Sequence, residues 1–342
     1  MGIDADVVAG RKDGGGFFSR LGGSRLFAAV RIVATLAIVA GLIFKLSPRE
    51  LWDTGRDADL LLLLAAFGLM CVVQALVVVK WLRLLSARAI DAPRLQVVRA
   101  YCVGNLLSNV LPTAVGGDVY RVYRIQREAN ARAADVTMSV LYERATGYGA
   151  MTCWGALGAA FYYGNAAIGF LALAGGAAAA GALLWILPRA PFPAVREGHF
   201  LRNLLAHRRE LMAVYQMTVF SLVIQALYIS TIAMTGRALG AHISWWYWAF
   251  ATWVVAVAVL LPVTLGGLGV RESSFSALVD RAGGTGAQGA STGFVLAGLL
   301  VLVNGLGLLA VEAAERLGFG GQQRNDMTGT LGEVREAVGE RA

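Results

Sequence analysis

The sequence predicts an all-α, polytopic membrane protein built from two halves of opposite orientation. Three observations predict it: few charges, long apolar runs and a helix-breaking motif that occurs twice. Of 342 residues, 57% are hydrophobic and only 15% are charged, whereas soluble domains carry about a quarter charged residues. The apolar residues fall in runs, and about 20 such residues cross the hydrocarbon layer as a helix. We therefore expect a multi-pass membrane protein.

Six segments are long and apolar enough to span a bilayer. They are residues 26–46, 60–79, 136–160, 167–187, 214–235 and 292–312. Two further apolar segments, 96–111 and 246–261, run directly into the repeated motif. The residues before the first span lack an apolar core followed by a cleavage site, so no removable signal peptide is expected.

The repeated motif is Leu-Pro-x-x-x-Gly-Gly-x-x-x-Arg, which reads LPTAVGGDVYR at 111–121 and LPVTLGGLGVR at 261–271, an offset of 150 residues. Proline removes a backbone donor, and paired glycines weaken a helix. Within a bilayer such a break is tolerated only where protein or a water-filled cavity covers it. We therefore predict two re-entrant hairpins, broken at Pro112 and Pro262, with return helices over about 119–133 and 269–282.

Loop charge predicts the orientation. If each hairpin returns to its side of entry, the loops on the N-terminal side hold 22 Lys and Arg residues and the opposite loops hold 5. Because cytoplasmic loops carry this excess, both termini are expected in the cytoplasm, at the cell (inner) membrane. Each half then crosses three times, so the second is inverted. The predicted parts are a cytoplasmic N-terminal segment (1–24), a first membrane repeat (25–163), an inverted second repeat (164–315) and a cytoplasmic tail (316–342).

The two motifs also predict an anion site. A helix N-terminus offers unpaired N–H groups and partial positive charge, and an arginine can hold a phosphate with two hydrogen bonds. In inverted-repeat transporters, sites form near the midplane where broken helices meet. We expect a lipid phosphate to bind there. The residues expected to form the core of this site are Gly116, Gly117, Arg121, Gly266, Gly267 and Arg271.

Neighbouring polar residues leave two interpretations open. Asp118 either caps the return helix or binds a cationic group or a proton. Glu143 and Arg144 either line the cavity or form a buried structural ion pair with another helix. Glu272 is expected to pair with another helix, since adjacent helical residues point apart. Arg124 either contacts the ligand or marks the cytoplasmic surface.

Amides and aromatic residues complete the expectations. Asn105 and Asn109, one helical turn apart, either line the cavity or bond across helices. Gln74, Gln225 and Asn304 are expected to join helices. The stretch SWWYWAFATW, residues 244–253, is expected to anchor the chain at the membrane interface.

The motifs argue against several enzyme classes. The three histidines show no metal-binding spacing, and no phosphate-binding loop or nucleophile elbow occurs. Carboxylates are too scattered for a magnesium-dependent phosphotransferase. We therefore expect no catalytic residue, no cofactor, no metal and no nucleic-acid partner. The three cysteines lie in apolar stretches and do not suggest disulfides.

NLLSNVLPTAVGGDVYRVYR (105–124) and LLPVTLGGLGVRESSF (260–275) resemble the signature stretches of the flippase-like, lysylphosphatidylglycerol-synthase transmembrane family, over roughly residues 25–315. The resemblance implies a membrane domain that moves a lipid product, either an aminoacylated phospholipid or a polyprenyl-phosphate glycolipid. It also implies a separate synthase or glycosyltransferase partner, since the roughly thirty residues after the last span are too few for a transferase domain.

The expected function is therefore lipid translocation with the phosphate headgroup bound near the membrane midplane. The alternative is a non-transporting accessory subunit or scaffold of a lipid- or glycolipid-synthesising complex. The sequence leaves open the identity of the lipid, the direction, the energy source and the oligomeric state.

Overall fold

The computed structural model describes residues 48–110, 116–171, 173–174, 208–260 and 267–318, and within these ranges the secondary structure is helical, with no strand. The helices are α1 (Pro48–Arg56), α2 (Leu60–Ala87), α3 (Arg94–Val110), α4 (Gly116–Glu128), α5 (Ala133–Tyr163), α6 (Arg208–Ala238), α7 (Trp245–Leu260), α8 (Val270–Arg281) and α9 (Gly286–Arg316). The predicted span 26–46 and most of 167–187 lie outside the described residues.

Three stretches of helix are long and apolar enough to cross a membrane: Leu60–Ala87, Tyr215–Ala238 and Gly286–Arg316. They match the spans predicted at 60–79, 214–235 and 292–312, so a multi-pass membrane protein is confirmed. The span predicted at 136–160 lies within α5, a helix of 31 residues that is too polar to join these three. Two charges and several glycines and threonines lower its hydropathy.

Helix α2 extends eight residues beyond the predicted span, to Ala87. Asp59 caps its start by accepting hydrogen bonds from the backbone N–H groups of Leu61 and Leu62, as N-cap residues do. The extension draws Lys80 into the protein interior, where only 3% of its surface is exposed. The span predicted at 60–79 ended one residue before Lys80, and the helix continues through this charge because the residues around it are apolar.

Helices α3 and α4 form the first hairpin and run antiparallel. Gly117, early in α4, packs against Gly104, and Arg124, further along α4, donates to the Gln96 side chain at 3.1 Å. Later residues of α4 therefore contact earlier residues of α3, as in an antiparallel pair. The return helix was predicted at 119–133 but spans Gly116–Glu128, so the glycine pair lies inside its first turn.

Helices α7 and α8 form the second hairpin, also antiparallel. Trp248 packs on Phe275 with ring centroids 6.0 Å apart, and the Tyr247 hydroxyl donates to the Leu278 carbonyl at 2.6 Å. Gly269 has φ of 82°, a left-handed conformation that glycine adopts without a Cβ clash. Trp248 and Tyr247 are both buried. The expectation that this aromatic stretch is an interface anchor was therefore wrong for these two residues, which belong to the core.

The two sets of helices match in order and length. Helices α2 to α5 have 28, 17, 13 and 31 residues, and α6 to α9 have 31, 16, 12 and 31. Exchanging the sets reproduces the packing pattern: α3 packs on α9 as α7 packs on α5, and α2 packs on α5 as α6 packs on α9. Each set also encloses a hydrophobic core.

The equivalent helices α2 and α6 pack against each other and run antiparallel. The Asp59 amide, just before α2, donates to the carbonyl of Ala238 at the end of α6 at 2.9 Å. At the opposite end of α2, Leu84 belongs to a small apolar cluster that Met217, near the start of α6, packs against. Helices α2 and α6 therefore point in opposite directions.

Candidate functional site

The guanidinium of Arg121 lies at the centre of the first half. The arginine comes from α4 and only 1% of its surface is exposed. It lies over the rings of Trp81 and Tyr101, at 4.0 and 4.8 Å from their centroids, which are cation–π contacts. Its Nη2 donates to Glu143 on α5 at 2.7 Å. Carboxylates of the protein thus bind both terminal nitrogens of the guanidinium that was expected to bind a phosphate, while Nε has no acceptor in the described residues.

The fold allows this because Gly104 makes room for the arginine. A Cβ at Gly104 would lie 2.7 Å from Arg121 Cγ, closer than side chains approach. The aliphatic stem of the arginine therefore crosses α3 at a glycine, and its head reaches α5. Glu143 forms a buried ion pair with another helix, one of the two alternatives left open, with Arg121 as its partner.

Lys80 adds a further positive charge beside this pair. Its Nζ donates to the backbone carbonyl of Glu143 at 2.9 Å and lies within electrostatic range of Glu143, Arg144 and Arg121. A hydrogen bond to a carbonyl satisfies one donor but does not neutralise the ammonium. The cluster is therefore richer in cations than the sequence indicated.

Asp118 and Arg144 form the second ion pair of the cluster. Arg144 Nη2 donates to Asp118 Oδ1 at 2.9 Å and its Nε donates to Oδ2 at 3.2 Å, while Arg121 also donates to Oδ1 at 3.3 Å. Both carboxylate oxygens are thus bound by guanidinium groups, and the expected cap is replaced by an ion pair. Although it is ion-paired, 39% of the Arg144 side chain is exposed. That part of the side chain is accessible to a ligand.

Arg271 occupies the matching motif of the second half but has different partners. Its Nε donates to Glu272 Oε1 at 3.0 Å, and the Gly269 amide donates to Glu272 Oε2 at 2.7 Å. The expectation that Glu272 pairs with another helix was wrong: it caps its own helix and binds its neighbour, since the carboxylate turns back towards the N-terminus. Gly293 of α9 packs directly against Glu272, which is fully buried.

One donor of Arg271 has no acceptor. Its Nη2 is buried and lies 3.0 Å from Glu272 Oε1, but its N–H bonds do not point at that oxygen, and no group in the described part of the chain accepts from it. A buried donor left without an acceptor is costly. In the described residues Arg271 Nη2 shares this state with Arg121 Nε, Arg124 Nε and the indole nitrogens of Trp248 and Trp253.

Two tyrosines link the two motifs. Tyr148, one turn after Arg144 on α5, lies within electrostatic range of Arg144, Asp118 and Glu143. Tyr228 on α6 lies within range of both Arg271 and Tyr148. Both tyrosines are half-buried. The Gln225 side chain donates to the Gly147 carbonyl at 3.3 Å, so α5 and α6 contact each other close to both tyrosines.

A comparison with known protein families assigns the chain to a family through its membrane region. The family model described as lysylphosphatidylglycerol synthase TM region matches residues 32–307. The chain belongs to that family. No curated protein matches it closely enough to count as a relative. Membership of this family indicates a membrane protein that takes part in lipid handling. It is also the family that the repeated motif was found to resemble.

The other residues predicted for the site lie farther from the charged groups of the two motifs. Asn105 donates to Asn304 of α9 at 3.3 Å, which favours the interhelical role over the cavity-lining one. Gln74 and Gln225 also join helices, through Tyr101 and the Gly147 carbonyl. Arg124 pairs with Glu128 at 2.9 Å where both are about one-third exposed, which favours a surface position over a ligand contact. Pro112, Pro262, Gly266 and the side chain of Asn109 lie outside the described residues.

Sequence analysis did not identify three residues that lie close to the charged groups of the two motifs: Lys80, Tyr148 and Tyr228. Lys80 fell just outside the predicted span 60–79, although the apolar residues on both sides, VVVKWLRLL from 77 to 85, indicate a continuing helix. Tyr148 and Tyr228 attracted no attention, because a single tyrosine in a span is usually a packing residue. The one signal for Tyr148 is its position a helical turn after Arg144, which puts both on one face.

Proposed function

We propose that the protein binds the phosphate headgroup of a lipid between its two hairpins and moves that headgroup across the membrane. The observation that carries this proposal is the buried Nη2 of Arg271, which has no hydrogen-bond acceptor in the described residues, together with Arg144, whose side chain is 39% exposed. Tyr148 and Tyr228 add hydroxyl donors between them. A phosphate needs several donors at once, and these groups supply them from both halves.

The roles of the residues follow from their partners. Arg144 and Arg271 contact the phosphate, because each retains accessible or unpaired donors. Arg121 and Glu143 act as support, since their ion pair holds the first hairpin against α5. Asp118 orients Arg144 and competes with the phosphate for it. No step in this scheme makes or breaks a covalent bond, so the proposal is of a carrier and not of an enzyme.

We infer that the two halves form an inverted repeat with re-entrant hairpins. The exchange of packing partners between α2–α5 and α6–α9 supports this, as does the antiparallel pairing of α2 with α6. Such repeats move a substrate by rocking or gating one repeat against the other around a fixed site. With both termini in the cytoplasm, the first hairpin enters from the cytoplasmic leaflet and the second from the opposite leaflet.

Reconstitution into liposomes tests the proposal. The assay follows a fluorescent lipid with a phosphate headgroup as it becomes accessible to an external quencher. We expect Arg144→Gln and Arg271→Gln each to slow headgroup movement at least about tenfold, the size of effect that loss of one charged contact gives. Arg316→Gln, a matched arginine change at a side chain that is 79% exposed, should behave as wild type.

The outcomes separate the alternatives. If lipid binds the purified protein and both variants lose it, but no headgroup moves, the accessory-subunit alternative replaces the carrier. If neither binding nor movement changes in either arginine variant, the headgroup site itself is refuted.

A further inference from the structure

The interior charges of the two halves do not balance. In the described part of the chain, the cluster and the second motif hold four cations, Lys80, Arg121, Arg144 and Arg271, against three carboxylates, Asp118, Glu143 and Glu272. The excess is one positive charge. Charge at membrane depth is expensive unless it is paired, so the site is completed by a ligand with one negative charge.

The same groups also argue against a positively charged ligand. Each of the three carboxylates is bound by an arginine: Glu143 by Arg121, Asp118 by Arg144, and Glu272 by Arg271. The second oxygen of Glu272 accepts from the Gly269 amide. No carboxylate in the described cluster is left free for an ammonium group. The groups that remain available are mainly donors: Nη2 of Arg271, Nε of Arg121 and the exposed part of Arg144. The two tyrosine hydroxyls can donate as well.

We propose that the site selects a lipid with a single net negative charge, a phosphodiester that carries no ammonium group, with Tyr148 and Tyr228 as headgroup contacts. This rests on the proposed function and narrows it: of the two lipid classes considered, it chooses the phosphodiester linked to a glycerol or a sugar over the aminoacylated phospholipid. An aminoacyl ester adds an ammonium that would face arginines.

Lys80 sets this selectivity. It supplies the uncompensated charge, yet its ammonium is held by the Glu143 carbonyl and is almost fully buried. It therefore acts through the field in the site and does not touch the phosphate. Removing its charge should weaken discrimination between headgroups while leaving the donors in place.

The experiment measures lipid affinity by native mass spectrometry of the full chain in detergent, using lipids that share the same acyl chains. The probes are phosphatidylglycerol, phosphatidylcholine, lysyl-phosphatidylglycerol and, as a soluble control, glycerol phosphate. We expect phosphatidylglycerol to bind at least about tenfold more tightly than either lipid that carries an ammonium, as a unit charge at about 10 Å in a partly buried site requires. Glycerol phosphate should bind far more weakly.

Two sets of variants follow. Lys80→Met should reduce the ratio between phosphatidylglycerol and lysyl-phosphatidylglycerol to near one, whereas Arg316→Gln, which removes the same charge at the surface, should leave the ratio unchanged. Tyr148→Phe and Tyr228→Phe should each weaken phosphatidylglycerol severalfold. The headgroup comparison on the wild-type protein stands even if Lys80→Met does not fold.

The results distinguish this inference from the function on which it rests. Equal or tighter binding of lysyl-phosphatidylglycerol, abolished by Arg271→Gln, overturns the charge selectivity and leaves the headgroup site intact. Binding of every lipid that is indifferent to Arg271→Gln overturns both. Glycerol phosphate bound as tightly as the lipid would show that the ligand is a soluble phosphate.

Discussion

Arg121 Nη2 lies 2.7 Å from Glu143 Oε2, and both side chains are buried. The pair joins the first hairpin to α5, the helix that also carries Arg144 and Tyr148. Because the carboxylate and the guanidinium both lose water, their attraction largely repays desolvation and adds little net stability. The pair nevertheless fixes which partners Arg144 has, since a freed Arg121 or Glu143 would compete for Asp118 and Arg144.

Removing one partner of this pair should destabilise the protein strongly. We expect Glu143→Gln or Arg121→Met to lower the free energy of unfolding by about 3–5 kcal/mol, because each leaves a buried charge uncompensated. The double variant Arg121→Met/Glu143→Leu should recover much of that loss. Reversible denaturation in detergent measures it, with Arg316→Gln as a control expected within about 0.5 kcal/mol of wild type. A double variant as unstable as the sum of the singles would contradict this account.

Close packing of the first hairpin depends on Gly117. A Cβ there would overlap the carbonyl of Gly104 and the hydroxyl of Ser108, and backbone cannot give way cheaply. We expect Gly117→Ala to cost about 1–3 kcal/mol, the range for overpacked sites. Gly149→Ala is the matched control, since a Cβ at Gly149 meets nothing within 4 Å. If the two alanine variants are equally stable in thermal unfolding, the predicted contact between α3 and α4 is absent.

The second motif depends on backbone conformation at Gly269, whose φ is 82°. An alanine there should cost about 1–2 kcal/mol and displace the Glu272 carboxylate that holds Arg271. We therefore expect Gly269→Ala to reduce both thermal stability and lipid binding. Gly298→Ala, at an open helical position, should affect neither. If folded Gly269→Ala binds the headgroup as tightly as the wild type, the position of Arg271 does not depend on this turn.

A substitution at Asp118 is expected to strengthen lipid binding, whereas the preceding substitution is expected to weaken it. Its carboxylate holds Arg144 through two hydrogen bonds, so it competes with a phosphate. Asp118→Asn removes one negative charge and loosens Arg144, and we expect the affinity for phosphatidylglycerol to rise severalfold in a native mass spectrometry titration. Glu128→Gln, which removes a surface carboxylate paired with Arg124, serves as the control. A fall in affinity would mean that Asp118 itself positions the ligand.

Membrane orientation can be tested by thiol labelling. In a background without the three native cysteines, we expect Arg127→Cys to react only from the cytoplasmic side and Arg281→Cys only from the opposite side. The reason is the strong excess of Lys and Arg on one face. Labelling of both positions from the same side would rule out hairpins that enter from opposite leaflets.

Much of the architecture was predictable from the chain because it depends on local pattern. Long apolar runs predicted three spans that the structure has. The repeated motif predicted one short helix before and one short helix after each break. Boundaries were less predictable. Lys80 continues α2 and Gly116 begins α4, since packing against other helices offsets the cost of a charge or a glycine there.

The sequence by itself determined that this is a membrane protein of two similar halves, each with an arginine after a glycine pair. Hydrophobic length and motif spacing are properties of the chain alone. Only the tertiary structure decided what the arginines do. Arg121 is bound by Glu143 of another helix and by the rings of Trp81 and Tyr101, whereas Arg271 is bound by its own neighbour, Glu272. The motif is the same in both halves, but an ion pair depends on which residues neighbouring helices present, and no spacing within the motif encodes that.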